Sequence, residues 1–139
     1  LGMTSLTQLN NLAISREQNI VVEAQRGYVP PPLVGIWARW PYLHNNSIPS
    51  LCALLTRAGS RPKTYWARPA RDPNSDFDAH CNGYPRGRPD AQTSEEFRYV
   101  VGGEGRQNSG HDEGVFLRDG QELMNPNEKL DLIRFLQTL

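Results

Sequence analysis

Three histidines, two cysteines, a run of aspartates and one aromatic-rich stretch are the chemically capable residues of this 139-residue chain. His111 follows Asn108-Ser109-Gly110, and a glycine just before an imidazole lets backbone come close to a bulky partner. That placement suits a ligand role as well as a structural one. His44, between Leu43 and Asn45, either bonds nearby backbone or reaches the acidic group of a buried ligand. His80 stands in Asp76-Phe77-Asp78-Ala79-His80-Cys81 among surface-type residues and reads as structural or exposed. Asp72, Asp76 and Asp78 hint at calcium, but the glycine and terminal glutamate of a calcium loop are missing, so a solvated acidic turn is expected. The pair His80-Cys81 has no Asn or Asp pointed at it to complete a nucleophilic site. Glycine-rich phosphate loops, His-Glu-x-x-His and Gly-x-Ser-x-Gly do not occur. Cys52 and Cys81 are too few and too far apart for a cysteine-rich zinc site; one disulfide and two separate buried thiols both remain open.

These residues must be positioned by the chain around them, and one stretch dominates it. Residues 35–51 hold Trp37 and Trp40, two of the three tryptophans, together with Tyr42, His44, Asn45, Asn46 and Ser47. No 3.6-residue or two-residue apolar repeat runs through it, so it is neither an ordinary amphipathic helix nor a strand. A loop so rich in rings is costly to expose and must pack against something large and apolar.

Around it, 15 basic and 15 acidic residues balance, giving no electrostatic reason to expect nucleic acid or an anionic membrane as partner. Hydrophobic residues make up 37%, and 12 Gly with 11 Pro point to a loop-rich domain with short elements. No apolar run approaches the roughly 18–20 residues of a membrane span. The start, Leu1-Gly2-Met3-Thr4-Ser5, shows no basic or apolar leader region, so either a targeting segment has been removed or the chain is a piece of something longer.

Residues 4–25 read as two helical pieces. The first rests on Leu6, Leu9 and Leu12 or Ala13; the second is capped by Ser15 and runs through Ile20, Val21 and Ala24 to a stop at Gly27. Pro30-Pro31-Pro32 is extended. Ser47 or Ile48, with Pro49 at the first helical position, opens a short helix through Leu51, Leu54 and Leu55, ending near Gly59. Residues 60–110 show little periodicity, with one short strand expected over 97–101. Asn125 caps a final helix of about 14 residues, roughly 21 Å long, with Pro126 at its first position and Leu130, Ile133 and Leu136 on its apolar face.

From Tyr28 to Trp66 the residues also resemble a known family. Leu33, Gly35-Ile36-Trp37-Ala38, Pro41-Tyr42-Leu43-His44-Asn45, Ser47, Pro49, Leu51, Leu54-Leu55 and Arg61-Pro62 follow one another as in c-type haem domains of the bacterial di-haem cytochrome c peroxidase superfamily. The rubber-oxygenase-like branch is the closer likeness. Asn108-Ser109-Gly110-His111 and the closing helix over 130–139 resemble a second block of that branch, in which the histidine is the distal axial ligand of the C-terminal haem. The resemblance is weak over 1–26 and 67–105.

What the resemblance implies is a mostly α, cytochrome c-like haem domain portion, a single domain over 1–139 with a loop-rich insertion at 67–105. Its cofactor would be haem c. Trp37, Tyr42 and Leu43 would line the haem crevice, His44 would reach a propionate, and Arg61 belongs to the same matched set. His111 would be the iron ligand, with Met124 as runner-up. The chain departs from the family in lacking Cys-x-x-Cys-His, so thioether attachment and the proximal histidine must come from an upstream segment or another chain. Asn46 replaces a usual glycine, and Cys52 falls where an aromatic is common. The implied role is part of a multi-haem oxidoreductase or electron carrier, periplasmic or secreted, working with a redox partner protein and without nucleic acid. The alternative is a haem-free interaction subunit that keeps the cytochrome scaffold.

Overall fold

A computed structural model describes residues 3–23, 29–87, 89–90 and 93–139 of the chain. The chain divides into two compact units, Leu1–Pro31 and Pro32–Leu139. In the first, helix α1 (Met3–Asn10) is followed by a single turn of helix, α2 (Ala13–Glu17). The second piece is far shorter than the periodicity suggests, and Ser15 lies inside it instead of capping it. Its buried hydroxyl donates to the Leu9 carbonyl at 2.8 Å, tying α2 back onto the end of α1. Residues 18–23 leave the helix because Asn10 offers a better partner. Its amide nitrogen donates to the Val22 carbonyl at 2.9 Å and its carbonyl oxygen accepts from the Val22 N–H at 2.7 Å. Such side-chain imitation of a strand neighbour competes directly with helix. The expected continuation to Ala24 and Gly27 lies outside the described residues.

Over the two units the expectation of a mostly α fold is overturned. The structure is 27% helical and 13% strand, with four short helices and two small sheets among the described residues. Helix α3 (Leu51–Leu54) is one turn, capped by Ser50, whose Oγ accepts from the Ala53 N–H at 3.3 Å. Strands β1 (Thr64–Trp66) and β2 (Arg98–Val100) pair antiparallel, Tyr65 opposite Tyr99. Strands β3 (Leu117–Arg118) and β4 (Gln121–Glu122) form a second small sheet, a tight hairpin. Regular structure is scarce because proline, glycine and aspartate interrupt every run too short to nucleate a helix by itself.

Helix α4 (Pro126–Leu136) starts as the sequence predicts. Asn125 Oδ1 accepts from the Asn127 and Glu128 N–H groups, and Glu128 returns a bond to the Asn125 N–H. It has 11 residues and not 14, because the last turn tightens: the Leu139 N–H bonds the Leu136 carbonyl, and the Leu139 carbonyl accepts from the Gly35 N–H at 3.1 Å. The core sits between α3, α4 and the β3–β4 hairpin. It is made by Tyr42, Ile48, Leu51, Ala53, Leu55, Phe116, Leu117 and Ile133. Burying an aliphatic or aromatic side chain of this kind contributes roughly 1.5–3 kcal/mol.

Candidate functional site: the aromatic loop and the His111 turn

The 35–51 stretch finds most of its apolar partner within the chain. Tyr42 and Ile48 close a small bridge through reciprocal backbone bonds, and both are buried. Trp40 stacks on Phe77 at 5.6 Å and meets Tyr84 edge-on at 4.5 Å, and Tyr65 joins Tyr84 to Tyr99. Each such pair adds about 0.5–1.5 kcal/mol beyond area burial. Trp37 is the exception. It stands 46% exposed at the centre of a 3₁₀ turn (Ile36–Ala38), next to exposed Leu33 and Val34 in sequence.

The turn that presents Trp37 is fixed from both sides. Gly35 occupies the left-handed region at φ 71°, a conformation that an L side chain strains to adopt. Arg39 donates to the Val34 carbonyl at 3.0 Å and also to that of Pro32. From the far side, the Asn82 amide nitrogen donates to the Trp37 carbonyl at 2.9 Å and to the Tyr42 hydroxyl at 2.8 Å. Burial pushes the Tyr42 phenol up to about 12, with the Asn82 bond opposing. Tyr42 is therefore neutral and a structural contact of the core.

His111 is held by Arg61. This arginine is 3% exposed, and its guanidinium donates to five main-chain carbonyls: Thr56, Leu54, Asn108, Gly110 and His111. Arg61 thus ties the end of α3 to the 108–111 turn, with its fork of donors spent on backbone. Asn108, also buried, donates to the Pro62 carbonyl at 3.2 Å. Asp112 anchors the other side, its Oδ2 accepting from the Ala58 N–H at 2.9 Å, while its buried Oδ1 has no partner among the described residues. His111 itself adopts φ 56° and is solvent-exposed, its ring 6.4 Å from that of Phe116. Crowding by protein nevertheless pushes its pKa down, aided by the Arg61 charge and opposed by its own backbone bond and by Asp112. A neutral imidazole is the form that binds a metal.

The two loops meet at one place. A Cβ on Gly110 would lie 3.8 Å from Leu43 Cδ1, so the residue before His111 backs onto the aromatic loop. Leu43 is half-buried at φ 65°, a left-handed conformation imposed by the turn through Asn46. Asn45 strengthens the junction by donating to the Gly105 and Gln107 carbonyls at 3.0 and 2.8 Å. His44 is exposed beside this junction in sequence. Met124 packs against the core and is half-buried.

The remaining sequence candidates resolve into local structure. Cys52 and Cys81 form a disulfide, Cα–Cα 4.9 Å. Asp76 is buried and caps the N–H groups of Arg71 and Asp72 at 2.9 Å while pairing with Arg68, which also binds Asp90. Those backbone bonds hold its carboxyl well below the usual range. Asp78 caps His80 and Cys81. Among the described residues no three His, Cys, Asp or Glu side chains gather to hold a metal ion. A cleft of about 300 Å³ opens between Pro49–Thr56 and Tyr84–Gly87, but none of the histidines, Trp37 or Arg61 lines it. Sequence reasoning missed Asn82 altogether. Its only signal was an Asn-Gly pair after an Asp-x-x-Cys turn, which marks a turn but not a tether.

For a haem, the donor set fits in part. His111 offers a neutral, accessible imidazole on an immobilised turn, and Trp37 an uncovered ring, while covalent attachment has no residues here.

Residues 27–67 match the model of RoxA-like, cytochrome c-like domains, and the match covers this part of the chain. The segment is thus of the cytochrome c type, with the haem-binding role that class carries. Over 120 residues, 85% of this chain, the sequence is 35% identical to the uncharacterized protein y4iJ of Sinorhizobium fredii, of which it covers 19%. Over 42 residues, 30% of this chain, it is 57% identical to the uncharacterized protein y4iM of the same organism, covering 10% of that protein. The chain therefore spans a fifth or less of the curated relatives it matches. No solved structure matches it significantly. No helix among the described residues is long and apolar enough to cross a membrane.

Proposed function

We propose that this chain is the distal half of a c-type haem site within a larger oxidoreductase or electron-transfer protein. His111 would be the axial ligand of a haem attached through a Cys-x-x-Cys-His outside residues 1–139, with Met124 as the weaker alternative. Trp37 and Leu43 would line the crevice, and His44 would reach a propionate. Tyr42 and Arg61 serve the same site from behind, by shaping the loop and the turn. The observation that carries this reading is the junction itself: the cytochrome c-like segment 27–67 supplies Leu43, which abuts Gly110, next to His111. When bound, haem iron would supply one-electron chemistry, and a second strong nitrogen ligand favours electron transfer over reaction at iron. Cytochrome c domains and disulfides both belong to oxidising compartments, which supports a periplasmic or secreted site of action. A redox partner protein follows from that role.

The test is optical. The protein that contains this segment should show a Soret band and sharp α and β bands, and His111→Ala should broaden or shift them. An absence of haem in the pyridine haemochrome assay of that protein would sink the reading.

One observation favours a second reading, a haem-free interaction subunit. Trp40 and Tyr42 are already covered by Phe77, Tyr84 and Asn82, so the loop needs no haem to order it. In that case Trp37 would dock protein, and His111→Ala would leave every spectrum unchanged.

A further inference from the structure

We propose that Asn82 is the positioning residue of the Trp37 wall, and that the Cys52–Cys81 disulfide makes this positioning redox-dependent. The functional meaning rests on the haem reading above, whereas the tether stands on geometry alone.

Asn82 is 1% exposed and lies in the insertion, 45 positions from Trp37. Its side-chain amide nitrogen and oxygen are both used, on two different segments. Its amide nitrogen donates to the Trp37 carbonyl and the Tyr42 hydroxyl, and its Oδ1 accepts from Gln137 Nε2 at 3.2 Å. Its main-chain carbonyl accepts from the Leu51 N–H at 3.3 Å. One residue therefore joins the aromatic loop and the end of α4 through its side chain, and α3 through its backbone. A buried amide so fully satisfied fixes orientation, because any displacement strands several polar groups together.

Asn82 cannot hold this place by itself. It sits at φ 53°, a left-handed conformation that asparagine tolerates better than most residues. Two neighbours keep it there. Gly83 passes so close to the scaffold that a Cβ would fall 2.2 Å from the Pro49 carbonyl oxygen. Cys81 is bonded to Cys52 on the first residues of α3, with the Cys52 N–H also donating to the Cys81 carbonyl at 3.3 Å. The covalent clamp is thus one residue from the tether. Both cysteines are half-buried, so a reductant reaches them without global unfolding. In the reduction, a trialkylphosphine is oxidised to its oxide with oxygen from one water. The sulfur–sulfur bond breaks, and the two electrons and two protons leave Cys52 and Cys81 as thiols. Asn82 then keeps only non-covalent contacts, and the Trp37 turn loosens with it.

The experiment follows Trp37 by ¹⁹F resonance in the full protein carrying 5-fluorotryptophan, with Trp37→Phe to assign the signal. Asn82→Ala should shift and broaden that resonance. Tyr42→Phe, which keeps the ring but removes the hydroxyl that accepts from the Asn82 amide and donates to the Ile36 and Asn82 carbonyls, should shift it less in the same direction. Gln137→Met, which removes the bonds from the end of α4 to Asn82 and to the Ala79 carbonyl, should leave it in place although stability falls. Phosphine reduction should reproduce the Asn82→Ala change, and reoxidation should reverse it. An unmoved Trp37 resonance in Asn82→Ala and after reduction, with melting lowered in both, would make Asn82 a packing residue and overturn the proposal. If Asn82→Ala does not fold, an unmoved resonance in Tyr42→Phe and in the reduced protein overturns it equally. A protein that shows the Trp37 shifts but no haem absorbance keeps the tether and removes the haem reading.

Discussion

The stretch 35–51 and the insertion 67–105 are both poor in regular structure, yet they are ordered by different means. The first packs rings into the core and closes on itself through the Tyr42–Ile48 bridge. The second has little apolar material and is held by polar capping: Asp76 and Asp78 bind their own backbone, Arg68 binds Asp76 and Asp90, and one disulfide pins Cys81. The contrast shows that the more recognisable loop depends on the less recognisable one. Phe77, Tyr84 and Asn82 of the insertion cover Trp40 and fasten Trp37.

Breaking that dependence should have graded consequences. The largest is expected at Arg61, which serves the His111 turn. Arg61→Met leaves several buried carbonyls unpaired and should cost roughly 3 kcal/mol or more in urea unfolding, with lost hydrogen-exchange protection around 108–111. Next comes the clamp. Cys52→Ser with Cys81→Ser should lower stability by roughly 2–4 kcal/mol, read as a drop in melting temperature under non-reducing conditions. Asn125→Ala, in the regular part of the fold, should cost only about 1 kcal/mol, because one cap is lost and the α4 core face remains.

Two pH effects sharpen the comparison further. Asp76 has its pKa depressed by folding, so the stability it gives is present above the unfolded value of about 4 and lost as pH falls through the lower folded value. The urea midpoint should therefore fall from pH 5 to pH 2, and Asp76→Asn should flatten that slope. His111 is also depressed, but it is a base. Folding favours its neutral form, so stability should fall slightly as pH drops below about 6.5. This effect should be the smallest, since the ring is exposed, and an NMR titration placing His111 above 6.5 would refute it.

Much of the scaffold could be read from local chemistry. Asn125, Pro126 and Glu128 form a start signal that acts within one turn, so α4 began where expected. Ser50 took the cap role expected two or three residues earlier, a shift that tertiary packing of Ile48 and Pro49 explains, since both are buried. The mostly α expectation failed because one sheet joins strands far apart in sequence and the other is a tight hairpin of two-residue strands, too short to show a period. Thr64–Trp66 pairs with Arg98–Val100 across more than thirty residues; the strand expected over 97–101 formed, but its partner Thr64–Trp66 is too short to announce itself. The helix expected after Ser15 failed because Asn10 reached across twelve positions to Val22.

By itself, then, the sequence determined the start of the final helix, which depends on residue type and short spacing acting locally, and the motifs of Tyr28–Trp66 carried a likeness to cytochrome c domains that the match over 27–67 shares. Only the tertiary structure decided that Cys52 meets Cys81, that Arg61 spends its charge on the His111 turn, and that Asn82 fastens Trp37. Each of those is a buried polar or covalent contact between distant segments, and its partner is chosen by how the chain packs.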